Sequence, residues 1–276
     1  MELVDAGIVT PAVRHAYERD GAVLLPAVVP PIWVDRLRVG VATDQAEPGP
    51  WASHYTPDGA PGAFFGDYCN WSRIPEFRAA ALESGLAEVA RRLMGSDTVR
   101  FFHEHVLVKE PGTREVTPWH HDQPYYCVDG EQNVSFWIPL DPVPAAVGVR
   151  FLAGSQRSGR WFVPRRFADH APYADAAGRY ELVPDVDAGL RGPGRVGGEV
   201  LAYDVVPGDL IAFHFRTLHD APGTAELANR RRVVSFRWLG DDATFALRPW
   251  LHSPPFEPDG LVEGEPLDDP RFPLVS

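Results

Sequence analysis

Only two cysteines, Cys69 and Cys127, occur in the 276 residues. That is too few for a disulfide framework or a thiolate metal cluster, so a metal held by this chain takes histidine and carboxylate donors. No run approaches the roughly 18 apolar residues of a membrane span. Met1–Thr10 lacks the basic segment and apolar run of a secretion signal, and the expectation is a cytoplasmic protein with no membrane partner. Positive charge is also short: 26 Lys+Arg against 38 Asp+Glu give a formal net charge of −12. Such a surface repels phosphate backbones, which argues against nucleic acid as a partner. Internal repeats, low-complexity segments and dividing linkers are all missing. One domain is therefore expected, with a helical part over about 1–97, a strand-rich core over about 98–240 and an extension over 241–276.

What is present points to a mainly β protein. The 28 prolines and 25 glycines are scattered among apolar runs, the pattern of many turns between short strands in a sandwich or barrel. Thr10-Pro11 reads as a cap and first position of a helix running to Asp20, closed by Gly21. A second helix starts near Pro31. Phe77, Ala81, Leu82, Leu86, Val89, Ala90 and Leu93 recur at helical spacing and predict one helix from Pro75 to Gly95. Strands are expected over Ala22–Leu25, Val99–Lys109, Ser135–Leu140, Val149–Leu152, Val200–Asp204, Leu210–His214 and Arg232–Leu239. Between the early helices, Asp44–Trp71 is rich in Gly, Pro and aromatics. It reads either as a lid or binding loop, or as a covering loop packed by its own rings.

The stretch Thr117-Pro118-Trp119-His120-His121-Asp122 carries the chemistry. On a β-strand His120 and Asp122 point to one side, supplying an imidazole and a carboxylate, two thirds of the facial triad of non-haem iron(II) oxygenases. A second histidine must come from elsewhere in the chain. His219 follows the strand Leu210–His214, with His214 itself as the competitor. Farther on, Arg231, Val233, Ser235 and Arg237 share one strand face, while Arg232, Val234, Phe236 and Trp238 share the other. An arginine aimed inward from that strand can clamp a carboxylate through two parallel hydrogen bonds. His121 is expected to face away from the site. Tyr125 and Tyr126 are either substrate contacts or core. Arg157, Arg160, Arg165 and Arg166 form a basic cluster, either solvated or receiving an anionic group.

The order of these segments resembles the phytanoyl-CoA dioxygenase family of iron(II)/2-oxoglutarate oxygenases. The resemblance runs through His105–Thr113, Thr117–Asp122, Phe136–Asp141, Phe151–Ser155, Pro207–Asp209, His219–Gly223 and Arg231–Ser235. It implies a double-stranded β-helix, a jelly-roll or cupin-like barrel with N-terminal and flanking helices. It further implies Fe(II) as cofactor, held by His120, Asp122 and His219, with 2-oxoglutarate and O2 as co-substrates. Arg231 falls where the family binds the distal carboxylate of 2-oxoglutarate, Trp137 where a tryptophan lines that pocket, and His105 on a strand beside it. The family often places a hydroxyl two residues after the distal histidine. Ala221 stands there, with Ser235 as the candidate replacement. Related halogenases lack the carboxylate that Asp122 supplies, so hydroxylation of an unactivated C–H bond in a small organic metabolite is the expected reaction. Two other readings compete: a non-oxidative metal-dependent isomerase or hydrolase, and a catalytically silent small-molecule-binding protein. The expected assembly is a monomer or small homo-oligomer.

Overall fold

The computed structural model describes residues 2–167, 169–175, 178–189, 198–225 and 229–275. Four helices come early: α1 (Pro11–Asp20), α2 (Pro31–Ala46), α3 (Pro75–Glu83) and α4 (Leu86–Met94). Helix α1 starts and stops as its sequence dictates. The Thr10 hydroxyl accepts the Val13 N–H, and Gly21, at φ 75°, closes the helix in the left-handed conformation that glycine adopts without strain.

The single helix expected from Pro75 to Gly95 is two. Ser84 turns its hydroxyl back onto the Ala80 carbonyl, and Gly85 takes φ 92°, which breaks the helix. The Val4 N–H then bonds the freed Ser84 carbonyl at 2.8 Å, so the chain's beginning docks on the break.

The strands are β1 (Ala22–Leu25), β2 (Ser53–His54), β3 (Phe64–Tyr68), β4 (Arg100–Lys109), β5 (Thr117–His120), β6 (Val128–Asp129), β7 (Asn133–Pro139), β8 (Arg150–Leu152), β9 (Val200–Ala202), β10 (Leu210–Phe213), β11 (His219–Ala221), β12 (Arg231–Leu239) and β13 (Thr244–Phe245). A seven-stranded sheet has the order β1-β10-β7-β12-β4-β3-β2, and a four-stranded sheet the order β5-β11-β8-β9. The strand pairs within both are antiparallel. The fold is mainly β and cupin-like, as expected. Part of Asp44–Trp71 is neither lid nor covering loop: β3 adds to the edge of β4, with Phe64 opposite Lys109 and Tyr68 opposite His105. The stretch 1–97 therefore contributes three strands to the large sheet as well as its helices.

Strand β12 explains how the layers divide. Val234, Phe236 and Trp238 on its outer face join one apolar cluster with Phe77, Val89 and Leu93 of the helices. On its inner face, Val233 packs with Trp137, Phe151 and Phe213 between the sheets. Arg232 stays outside, paired with Asp141 at 2.7 Å. No helix among the described residues is long and apolar enough to cross a membrane.

One outward residue of β4 is ionisable and fully buried. Glu104 accepts backbone N–H bonds from Asn70 at 2.5 Å and Trp71 at 3.1 Å, yet burial pushes its carboxyl up to about 8. A carboxyl raised this way stabilises the fold fully below its ordinary range, near 4.5, and loses that contribution as pH climbs through about 8. Glu104→Gln mimics the protonated form. Between pH 5 and pH 9, the wild type should lose on the order of 3 kcal/mol of stability relative to this variant. Denaturant unfolding of both proteins at the two pH values checks this, and a constant difference would contradict it.

Candidate metal centre and active-site cavity

His120 ends β5, and His219 opens β11 directly opposite it in the antiparallel register. Their ring centroids are 4.2 Å apart. The Nδ1 atoms lie 2.8 Å from the carbonyls of Pro118 and Thr217, respectively. A carbonyl can only accept, so each Nδ1 carries the proton and each Nε2 presents its lone pair. Both Nε2 atoms sit 3.6 Å from Asp122 Oδ1. Donor atoms of the three residues lie within 4.8 Å of one another, and all three side chains are buried.

Asp122 does not reach this position by strand alternation, as the sequence had suggested. The strand ends at His120, and Asp122 has helical backbone angles, φ −72° and ψ −40°, at the head of a single turn over Gln123–Tyr125. The Phe215 carbonyl fixes that turn by accepting N–H bonds from Asp122 at 2.7 Å and Gln123 at 3.1 Å. Phe215 lies just before His219, so one segment places both halves of the constellation.

The second carboxylate oxygen is engaged on its other side. Asp122 Oδ2 accepts from the Ser135 hydroxyl at 3.3 Å and faces Arg237 Nη2 at 3.5 Å. Arg237 Nε in turn donates to the Tyr126 hydroxyl. Burial opposes the charge on Asp122, but Arg237 together with the two imidazoles holds its carboxyl well below the usual range. Burial, then neighbouring His120, pushes His219 down to about 3, which keeps it neutral. Arg237 entered the sequence reading only as an inward-facing candidate clamp, not as the partner of Asp122. Its signal was the two-residue alternation of β12, which put it on the same face as Arg231.

These groups open onto a cavity of about 310 Å³, which Arg231, Trp137, His105, Ser235 and Ala221 also line. Arg231 donates to the Val147 carbonyl at 2.6 Å. Its Nε is buried without a partner, and burial lowers the guanidinium to about 10. Lys109 lies across from it in the sheet and donates to the carbonyls of Glu115 at 2.7 Å and Pro222 at 3.3 Å. The Ser235 hydroxyl is likewise buried and unpartnered.

Other sequence candidates fall elsewhere. His214 meets the Glu131 carbonyl at 3.0 Å, and its Nδ1 accepts the Arg216 N–H. His121 accepts the Phe162 N–H at 3.0 Å. Neither lines the cavity. The basic cluster divides: Arg160 pairs with Glu181 and Arg166 with Asp169, while Arg165 and Arg166 also line the cavity and Arg157 borders a different groove. Phe167, which drew no attention in the sequence, packs 5.0 Å from the His120 ring. Ser253 and Pro254 of the extension complete the wall.

The donor set suits iron(II): two imidazoles and one carboxylate, with a half-partnered buried arginine and an unpartnered hydroxyl in the same cavity. The family model for phytanoyl-CoA dioxygenase matches residues 17–232. The chain belongs to this family. The cofactors of the phytanoyl-CoA dioxygenase fold are accordingly Fe(II), 2-oxoglutarate and O2. Among curated proteins no sequence match reaches significance. Solved structures share the fold over nearly the whole chain. One is the non-haem α-ketoglutarate-dependent carbocyclase SnoK from nogalamycin biosynthesis, 22% identical, covering 100% of both chains with a TM-score of 0.74. Another is the epimerase SnoN in complex with Fe3+, α-ketoglutarate and nogalamycin RO, 22% identical, covering 99% of this chain and 100% of that one with a TM-score of 0.73. A third is EctD from S. alaskensis with 2-oxoglutarate and 5-hydroxyectoine, 18% identical, covering 94% and 86% with a TM-score of 0.67.

Proposed function

We propose that this phytanoyl-CoA dioxygenase family member is a single-domain hydroxylase acting on an unactivated C–H bond of a small organic metabolite. His120 and His219 would hold iron through Nε2, and Asp122 through Oδ1. Arg231 would bind the distal carboxylate of 2-oxoglutarate, with Ser235 beside it and Trp137 along its chain. When bound, iron supplies the oxidising chemistry that converts 2-oxoglutarate and O2 to succinate and CO2 and delivers one oxygen atom to the substrate. The protein's part is to orient and to exclude water. Pro118 and Thr217 fix the imidazole tautomers. Arg237 and Ser135 occupy one oxygen of Asp122, leaving the other for the metal and the remaining coordination face open to the cavity.

The observation that carries this reading is the convergence of the three donors and the half-partnered Arg231 in one cavity. A non-oxidative metal enzyme has no need of that arginine, and a silent binding protein has no need of the intact donor triad. SnoK and SnoN extend the possible outcomes to ring closure and epimerisation, which begin with the same hydrogen removal. Screening metabolites for stimulated succinate release, followed by mass analysis of the product, tests the proposal. Gain of one oxygen atom supports hydroxylation; an unchanged mass or loss of hydrogen would replace it with one of the other outcomes.

A further inference from the structure

The inward face of β4 carries two histidines that the proposed iron site does not use. His103 and His105 are two residues apart and both line the cavity. In the register, His103 lies opposite Arg237 and His105 opposite Ser235 on one side, with Tyr68 opposite His105 on the other. Both imidazole Nε2 atoms are buried and have no hydrogen-bond partner. Such atoms in a cavity wall await a ligand group or a water.

Their chemistry narrows the ligand. Burial, reinforced by the Arg237 cation, pushes His105 down to about 3 and His103 well below the usual histidine range, so both are neutral. His103 Nδ1 approaches the Glu104 carbonyl at 3.2 Å, and it must donate there. The Nε2 atom of His103 is then an acceptor, which suits a hydroxyl and repels a carboxylate. The neighbouring cations are engaged, Arg237 with Asp122, Arg166 with Asp169 and Arg165 with the Val183 carbonyl at 3.1 Å.

Gly66 lets the Tyr55 ring close in beside this pair. A Cβ added there would meet Tyr55 Cε2 at 2.9 Å, and it would sit 3.5 Å from His105 Nε2. Tyr55, Phe64, Tyr68, Phe167 and Tyr173 form further walls of the cavity. Ring faces of this kind receive a flat apolar body.

We infer that His103 and His105, beside the Tyr55 ring that Gly66 admits, form a substrate subsite for a neutral aromatic ring bearing a hydroxyl. His105 then serves the substrate rather than 2-oxoglutarate, to which the family resemblance had assigned it. The inference rests on the iron/2-oxoglutarate reading of the adjoining site and deepens it.

The test is calorimetric titration of the anaerobic iron(II)/2-oxoglutarate complex with three probes: 2-naphthol, 2-naphthoate and naphthalene. The wild type should bind 2-naphthol at least about tenfold more tightly than either of the others, the worth of one hydrogen bond. His105→Phe and Gly66→Ala should each weaken 2-naphthol about tenfold. Near-ultraviolet circular dichroism checks that each variant is folded, and the visible charge-transfer band of the complex checks the metal site in Gly66→Ala. Equal affinity for the three probes, no binding of 2-naphthol up to its solubility, or unchanged binding in both variants overturns the subsite. So does a His105→Phe variant that loses affinity for 2-oxoglutarate while keeping 2-naphthol. If the wild type shows no charge-transfer band, the iron/2-oxoglutarate reading fails instead, and titration of the protein with the same probes still decides the subsite.

Discussion

Asp122→Ala should lower substrate-coupled succinate formation by about a thousandfold or more, equivalent to roughly 4 kcal/mol. The loss has two physical parts that can be separated. The first is the donor itself: without Oδ1, the two Nε2 atoms 3.6 Å from it are left as a weak neutral pair for a divalent cation. The second is Arg237, which is buried and faces Asp122 Oδ2 at 3.5 Å. Stranding a buried cation costs about 3–5 kcal/mol of folding stability, softened here by the Tyr126 hydroxyl that Arg237 keeps. Asp122→Ala combined with Arg237→Met should therefore regain stability without regaining turnover. Denaturant unfolding of the metal-free proteins reads the first quantity, and succinate release reads the second. Full turnover in Asp122→Ala would remove this residue from the metal site.

Arg231→Ala should raise the 2-oxoglutarate concentration needed for half-maximal turnover by about a hundred- to a thousandfold, with a smaller effect on the rate at saturation. The size follows from losing a buried charge-assisted clamp, on the order of 3–4 kcal/mol. Burial amplifies it, because the Arg231 side chain is almost fully removed from water and its Nε has no protein partner. Lysine offers a point charge rather than a planar fork, so Arg231→Lys should recover only part of the affinity. The neighbouring arginines are poor substitutes. Arg230 pairs with Glu110 at 3.0 Å, and Arg232 pairs with Asp141 on the outer face of the sheet. An unchanged requirement for 2-oxoglutarate in Arg231→Ala would move the clamp to Arg237.

What could be read from the sequence was whatever local pattern determines. The alternation along Arg231–Leu239 separated the cavity face from the helix-covered face because a strand buried on both sides has no other way to distribute arginines and aromatics. The cap and closing glycine of α1 were legible for the same reason. The position of Asp122 was not, since it depends on a carbonyl of Phe215 that grips two N–H groups from a distant segment. Nor was β3, whose Gly- and aromatic-rich sequence becomes a strand only because the edge of β4 is there to pair with. The break at Ser84-Gly85 hid within an unbroken apolar rhythm. Phe167, Ser253 and Pro254 enter the cavity wall through tertiary contacts that no periodicity announces.

Mixing the protein anaerobically with iron(II) and 2-oxoglutarate should produce a weak visible metal-to-ligand charge-transfer band, present in wild type and lost in Asp122→Ala. No band in wild type, or an undiminished band in Asp122→Ala, would contradict the assignment of His120, Asp122 and His219 as the iron site.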